Sequence, residues 1–169
     1  TAFRKAGYFV CGAGKIYHEA YKRRSEWDDY LENEGGGKAE KKLNATAKND
    51  GVGGIKFAPL DCQDADLPDY KITDYGIEKL NAAHDKPFFL AVGLHKPHMP
   101  WNVPQKYFDL YPLEKIELPK VDEKDLDDVP PMGVKMAKPN GDHAAMLKSG
   151  RWKEAVQAYL ATITYCDTN

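Results

Sequence analysis

Between Lys86 and Pro112 the chain reads KPFFLAVGLHKPHMPWNVPQKYFDLYP, and this stretch restricts the fold more than any other. Phe88, Phe89, Leu90, Ala91 and Val92 form an unbroken apolar run, the pattern of a central strand covered on both faces. Gly93 ends it by removing a side chain where the backbone must turn. His95, Lys96 and His98 then lie within four residues. Pro97 and Pro100 forbid a helix and bias the residues before them to extended geometry, so these polar groups ride on a stiff loop at a strand's carboxyl end. In open α/β sheets that edge is where ligands bind.

The 169 residues, 42% hydrophobic and 30% charged, have the size and balance of one globular domain, and no apolar run is long enough to span a bilayer. A net charge of -2 argues against a nucleic-acid binder that works by bulk phosphate neutralisation, while leaving room for a local basic pocket that takes a small anion. Cys11, Cys62 and Cys166 are far apart and form no Cys-x-x-Cys pair, which excludes a zinc ribbon or thioredoxin-like motif and predicts small buried or half-buried residues. Thr1 is not an initiator methionine, and the helical pattern running to Asn169 has no Gly or Pro terminator. The expectation is that residues 1–169 are an internal fragment of a larger protein.

Phe3 to Gly7 reads as a helix end whose glycine hands over to a strand at Tyr8, Phe9, Val10 and Cys11, closed by Gly12, Gly14 and Lys15. From Glu19 to about Leu67 the chain is polar, with Lys38 to Lys42 strongly charged and glycines at 35 to 37, 51, 53 and 54. This predicts a long excursion with little regular structure, a common setting for functional rims. Ile72, Tyr75, Ile77, Leu80 and Ala83 recur at helical spacing behind the start signals Pro68 and Asp69, and this helix with the Phe88 strand is half of a βαβ crossover. Recurrent prolines and the acidic cluster Asp122, Glu123, Asp125, Asp127 and Asp128 predict a solvated connection from Tyr111 to Pro139. Trp152, Ala155, Val156, Tyr159, Leu160 and Ile163 restore a helical stripe. Two core strands are legible, fewer than a complete doubly wound domain of this size carries.

Lys15 and His18 place a cation and an imidazole at the end of the first strand, and His98 stands beyond the end of the second. Oxyanion chemistry uses such groups: a lysine about 4 Å from an oxyanion contributes up to roughly 4 kcal/mol at an effective dielectric near 20, and histidine can protonate a leaving oxygen near neutral pH. Taken alone, Gly14-Lys15 also fits a turn with a solvated lysine, and His18 a surface residue. Gly-x-Gly-Lys lacks the spacing and hydroxyl residue of a P-loop, so nucleotide binding is rejected there. His95 and His98 do not make a metal pair by themselves, because Pro97 excludes helical alignment and no carboxylate follows. His84 and His143 belong to no constellation and are expected at the surface. Asn44-Ala45-Thr46 fits the glycosylation sequon, a short pattern that needs a eukaryotic secretory route to matter.

GYFVCGAGKIYH at Gly7 to His18, APLDCQDADLPDYKITDYGIEKL at Ala58 to Leu80, the Lys86 to Pro112 stretch, and WKEAVQAYLATITYCDTN at Trp152 to Asn169 together resemble the sulfatase family of the alkaline-phosphatase superfamily. The likeness is greatest to its iduronate-2-sulfatase-like and choline-sulfatase-like branch, and it covers nearly the whole chain. It implies an α/β fold, part of a three-layer sandwich with a mainly parallel sheet, incomplete in this fragment. It also implies a Ca2+-dependent sulfuric-ester hydrolase whose nucleophile is a formylglycine made from cysteine. Carried over by motif position, Lys15 holds a sulfate oxygen and the formylglycine, and His18 assists collapse of the enzyme-sulfate hemiacetal. His98, before Met99-Pro100, binds sulfate near the leaving oxygen, while His95 and Lys96 are rim or substrate-contacting residues. The substrate class is a sulfated sugar or other small sulfate ester, and the compartment of the parent is periplasmic, secreted or lysosome-like.

Departures from the family pattern define what this piece lacks. None of the three cysteines has the Pro or Ala and Arg spacing that formylglycine formation requires, and the resemblance implies that the paired upstream aspartates and the downstream Asp-His or Asp-Asn ligands expected to hold calcium lie on either side of this stretch. Both the nucleophile and the metal ligands are therefore expected outside residues 1–169, and the fragment alone is expected to be inactive. Two other readings stay open on the residues: a phosphatase or phosphonate hydrolase of the same superfamily, and a noncatalytic anion- or glycan-binding remnant.

Overall fold

The computed structural model describes residues 2–18, 21–32, 42–43 and 51–169. The sequon at Asn44 to Thr46, the glycines at 35 to 37 and the charged run up to Lys41 lie outside the described residues. The chain divides into two compact units, one within Thr1–Thr46, Cys62–Lys96 and Cys166–Asn169, the other within Ala47–Asp61 and Pro97–Tyr165. No helix among the described residues is long and apolar enough to cross a membrane.

In the first unit a short helix α1 (Ala2–Lys5) leads into strand β1 (Phe9–Gly14), followed by β2 (Asp29–Leu31). The second unit contributes β3 (Phe57–Leu60), and the chain then enters helix α2 (Pro68–Asn81) and strand β4 (Phe88–Gly93), both of the first unit. The three strands of this unit form an all-parallel sheet in the order β2-β1-β4. Side chains alternate along β1, and each face has its own core. Cys11 and Ala13 pack with Ile72 and Tyr75 of α2, while Val10 packs with Trp27 and Tyr30 on the opposite face.

The parallel α/β arrangement agrees with the sequence reading, but the middle strand does not. The Phe88 run was expected to be central and covered on both faces. It lies at an edge of the described sheet, with its residues only half-buried and Val92 42% exposed. β1 is central because Cys11, Gly12 and Ala13 are small enough for α2 to close on one face and Trp27 on the other. The helix expected from Asp69 to Ala83 is present, but Ile77 and Leu80 are exposed and the buried face is Asp69, Ile72, Tyr75 and Gly76.

Regular structure inside residues 19–67 corrects the expectation of a plain excursion. β2 and β3 both lie there, and Trp27, Tyr30, Phe57, Ala58 and Leu60 are buried. Strands of three or four residues are too short to show periodicity, and Pro59 inside β3 argues against a strand from sequence alone.

In the second unit β3 pairs in parallel with β5 (Trp101–Pro104), with Phe57 opposite Trp101 and Leu60 opposite Pro104. Helices α3 (Gln105–Phe108), α4 (Pro131–Ala137), α5 (Asp142–Ser149) and α6 (Trp152–Thr168) follow. Thus five strands, not two, are present among the described residues. The connection from Tyr111 to Pro139 is mostly exposed, as expected, yet Ile116 is buried and α4 interrupts it. On α6 the buried face is Ala155, Ala158, Ala161, Thr162 and Tyr165, rotated from the expected stripe, and Tyr159 and Ile163 are exposed. Three of these buried positions are alanine. Tyr107 meets Tyr165 edge-on at 5.5 Å between ring centroids, and Gln157 Nε2 donates to the Tyr111 carbonyl at 2.7 Å.

Candidate functional site

Because β1 and β4 are parallel and in register from Phe9 opposite Phe88 to Gly14 opposite Gly93, the segments leaving their carboxyl ends start side by side. Lys15 and His18 follow the first strand; His95 and Lys96 follow the second. A pair of glycines makes this possible. Gly14 has φ +77°, and a Cβ there would lie 2.1 Å from the Gly93 carbonyl oxygen; a Cβ on Gly93 would lie 2.3 Å from the carbonyl oxygen of Lys15. The Lys15 N–H donates to the Gly93 carbonyl at 2.6 Å. The buried Tyr30 hydroxyl donates to the Gly14 carbonyl at 2.5 Å, so the backbone that presents Lys15 is held on both sides.

Lys15 and His18 are exposed. Among the described residues the Lys15 ammonium has no ion-pair partner, as suits a cation presented to an external anion. Tyr17, between them, points away into a separate contact: its hydroxyl donates to Glu26 Oε2 at 2.5 Å, and burial, then this carboxylate, raise its pKa.

The loop after β4 is organised by a residue the sequence reading treated only as a helix-start signal. Asp69, in the first turn of α2, is 2% exposed. Its Oδ1 accepts the His95 N–H and its Oδ2 the Lys96 N–H, both at 2.8 Å. His95 is half-buried, and Lys96 is 5% exposed. Lys96, expected as a rim or substrate-contacting residue, is thus buried, with its backbone N–H held by Asp69. No sequence signal marks this role, because the burial that requires the Asp69 oxygens to be satisfied comes from the fold.

His98 belongs to the second unit and is exposed. Its Nδ1 lies 2.6 Å from the Met99 carbonyl oxygen. A carbonyl only accepts, so the Nδ1–H is the donor of this bond. The Met99–Pro100 peptide is cis, and Trp101 Nε1 donates to the Pro97 carbonyl at 3.0 Å, tying both ends of this tight segment together.

The remaining titratable clusters have structural partners. His84, expected at the surface, is half-buried; its Nε2 donates to the Lys79 carbonyl at 2.7 Å and its ring stacks on Phe88. It thereby closes the end of α2, a cap the sequence reading missed. His143 is exposed, as expected, and meets Trp152 edge-on. Asp29 receives Lys79 Nζ at 2.9 Å and the Tyr75 hydroxyl at 3.0 Å. The Lys79 bond and then Tyr75 hold the Asp29 carboxyl below its usual range against the effect of burial. Among the described residues no three His, Cys, Asp or Glu side chains stand together as a metal ion would require. This set does not fit calcium, and no step is assigned to the ion.

A family model described as Sulfatase matches residues 1–169. The chain belongs to the sulfatase family. It is 35% identical to a protein named Sulfatase from Formosa agariphila over 98% of this chain and 35% of that protein. It is also 27% and 26% identical to the iduronate 2-sulfatases of Mus musculus and Homo sapiens, each over 98% of this chain and 34% of theirs. The chain thus spans about a third of the length of the curated relatives it matches. Within the sulfatase family, the mixed α/β structure with short parallel sheets is that of an incomplete alkaline-phosphatase-like sandwich.

Proposed function

We propose that the protein of which this chain is a part hydrolyses sulfate esters of a sugar or other small molecule, and that this chain supplies cationic and proton-transferring groups to that reaction. The formylglycine nucleophile and the Ca2+ ligands belong to residues outside 1–169, so this chain by itself is inactive.

The observation that carries the reading is the glycine-paired edge of the sheet. Gly14 and Gly93 allow the Lys15 segment and the His95–Lys96 loop to leave adjacent strands at touching distance, and sulfatase relatives match across both segments. Lys15 holds a sulfate oxygen through its ammonium, and His18 moves a proton when sulfate is released. His98, which precedes Met99-Pro100, binds sulfate near the leaving oxygen. His95 and Lys96 contribute to the substrate side of the pocket through the backbone path that Asp69 sets. A periplasmic, secreted or lysosome-like compartment accompanies this reading.

The test uses the full-length parent with a sulfate monoester and the matching phosphate monoester. Sulfate turnover is expected, and His98→Ala should lower it by orders of magnitude with folding retained. A parent that turns over phosphate and not sulfate would transfer the reading to a phosphatase. Unchanged specific activity in a destabilised His98→Ala protein would assign that histidine to packing.

A further inference from the structure

We propose that Asp69 is a positioning residue of this site, holding the His95–Lys96 backbone at the geometry the reaction uses; the inference rests on the sulfatase reading above. A carboxylate at the start of a helix ordinarily accepts the free N–H groups of its own first turn. The Asp69 carboxylate instead gives both oxygens to consecutive amides of another segment, Oδ1 to the His95 N–H and Oδ2 to the Lys96 N–H. Burying an ionised carboxylate is costly unless its oxygens are satisfied, so a group 2% exposed engaged in this way holds its partners closely. Two amides bound to two oxygens of one rigid group fix both the place and the tilt of the peptide between them.

The anchor itself does not move easily. Ile72 and Tyr75, one and two turns beyond Asp69, are buried against Cys11 and Ala13 of β1. Ile72 also abuts the backbone at Gly14, where a Cβ would lie 2.6 Å from Ile72 Cδ1. The same helix therefore gauges both segments: Ile72 backs the turn that presents Lys15, and Asp69 grips the loop that leads on to His98 in the chain. Asp69 touches no reacting group in this scheme and acts through the peptide it holds.

The experiment compares wild-type full-length parent with Asp69→Asn, which keeps the shape but leaves one amide facing an NH2 group. Two readouts are taken well below the unfolding temperature: hydrogen exchange at the His95 and Lys96 amides, and kcat and KM on a sulfate monoester. Faster exchange confined to this loop is expected, with kcat lowered about 10- to 100-fold, the scale of an ångström-sized misplacement, and KM changed less. Asp69→Ser, whose hydroxyl accepts a single amide, serves if the asparagine variant does not fold and should show the same pattern. Unchanged exchange would show that Asp69 does not hold the loop, and accelerated exchange with unchanged kcat would show that holding it is irrelevant to turnover; either overturns the proposal. Failure of the wild-type parent to hydrolyse any sulfate ester would instead refute the sulfatase reading, while the exchange measurement would still decide whether the clamp exists.

Discussion

Replacing Gly14 by alanine should be far more damaging than replacing Gly7, although both glycines have positive φ, +77° and +86°. At Gly7 a Cβ meets nothing within 4 Å, so Gly7→Ala incurs only the left-handed backbone penalty of about 1–2 kcal/mol. At Gly14 the same penalty is joined by a Cβ placed 2.1 Å from the Gly93 carbonyl oxygen and 2.6 Å from Ile72 Cδ1. Relief of that overlap requires the ends of β1 and β4 to part, at about 1–3 kcal/mol, and weakens the 2.6 Å bond from Lys15 N–H, worth about 0.5–1.5 kcal/mol. The combined loss of about 2.5–6.5 kcal/mol is a large share of the roughly 5–15 kcal/mol that stabilises a typical protein. Urea unfolding of the parent and the two variants, followed by intrinsic fluorescence, measures the difference. Equal destabilisation by Gly7→Ala and Gly14→Ala would refute the close-approach argument and with it the physical basis for the shared strand edge.

Three further outcomes are expected. The folded Asp29 carboxyl is held below its ordinary value of 3.8, chiefly by Lys79, so its contribution is present at neutral pH and is lost as pH falls from that value through the folded one; Asp29→Asn should flatten the acid limb of a stability-against-pH curve. Lys79 is shifted upward, first by Asp29, so its side of the pair is lost only above the ordinary lysine value of 10.5, and an alkaline limb that begins near neutrality would contradict the pairing. The Cys11 thiol is 0% exposed and pushed up by burial, then by Asp29; it should resist a thiol reagent in the native protein and react on unfolding, and rapid native labelling at Cys11 would contradict the packing of β1 beneath α2.

Much of the local structure was legible because its signals are local. Pro68 and the spacing of Ile72 and Tyr75 mark α2, and Gly93 marks the end of the apolar run. Lys15, His18, His95, Lys96 and His98 stand out as polar groups directly after strand signals. Less was legible where burial depends on a distant partner. β2, β3 and β5 are too short to carry periodicity and are strands because β1 or each other supply hydrogen bonds. The buried face of α6 holds Ala155, Ala158, Ala161, Thr162 and Tyr165, and which face of a helix is covered depends on what packs against it, which periodicity alone does not contain.

By itself the sequence determined the α/β class, the order of α2 and β4, and the family resemblance that residues 1–169 bear out. Tertiary structure alone decided that β1 is the middle of the described sheet, that Lys96 is buried, and that Asp69 grips the His95–Lys96 backbone. The physical reason is range: propensity and turn chemistry act over a few residues, whereas Asp69 and His95 are 26 positions apart, and only folding brings a carboxylate to the amides that satisfy it.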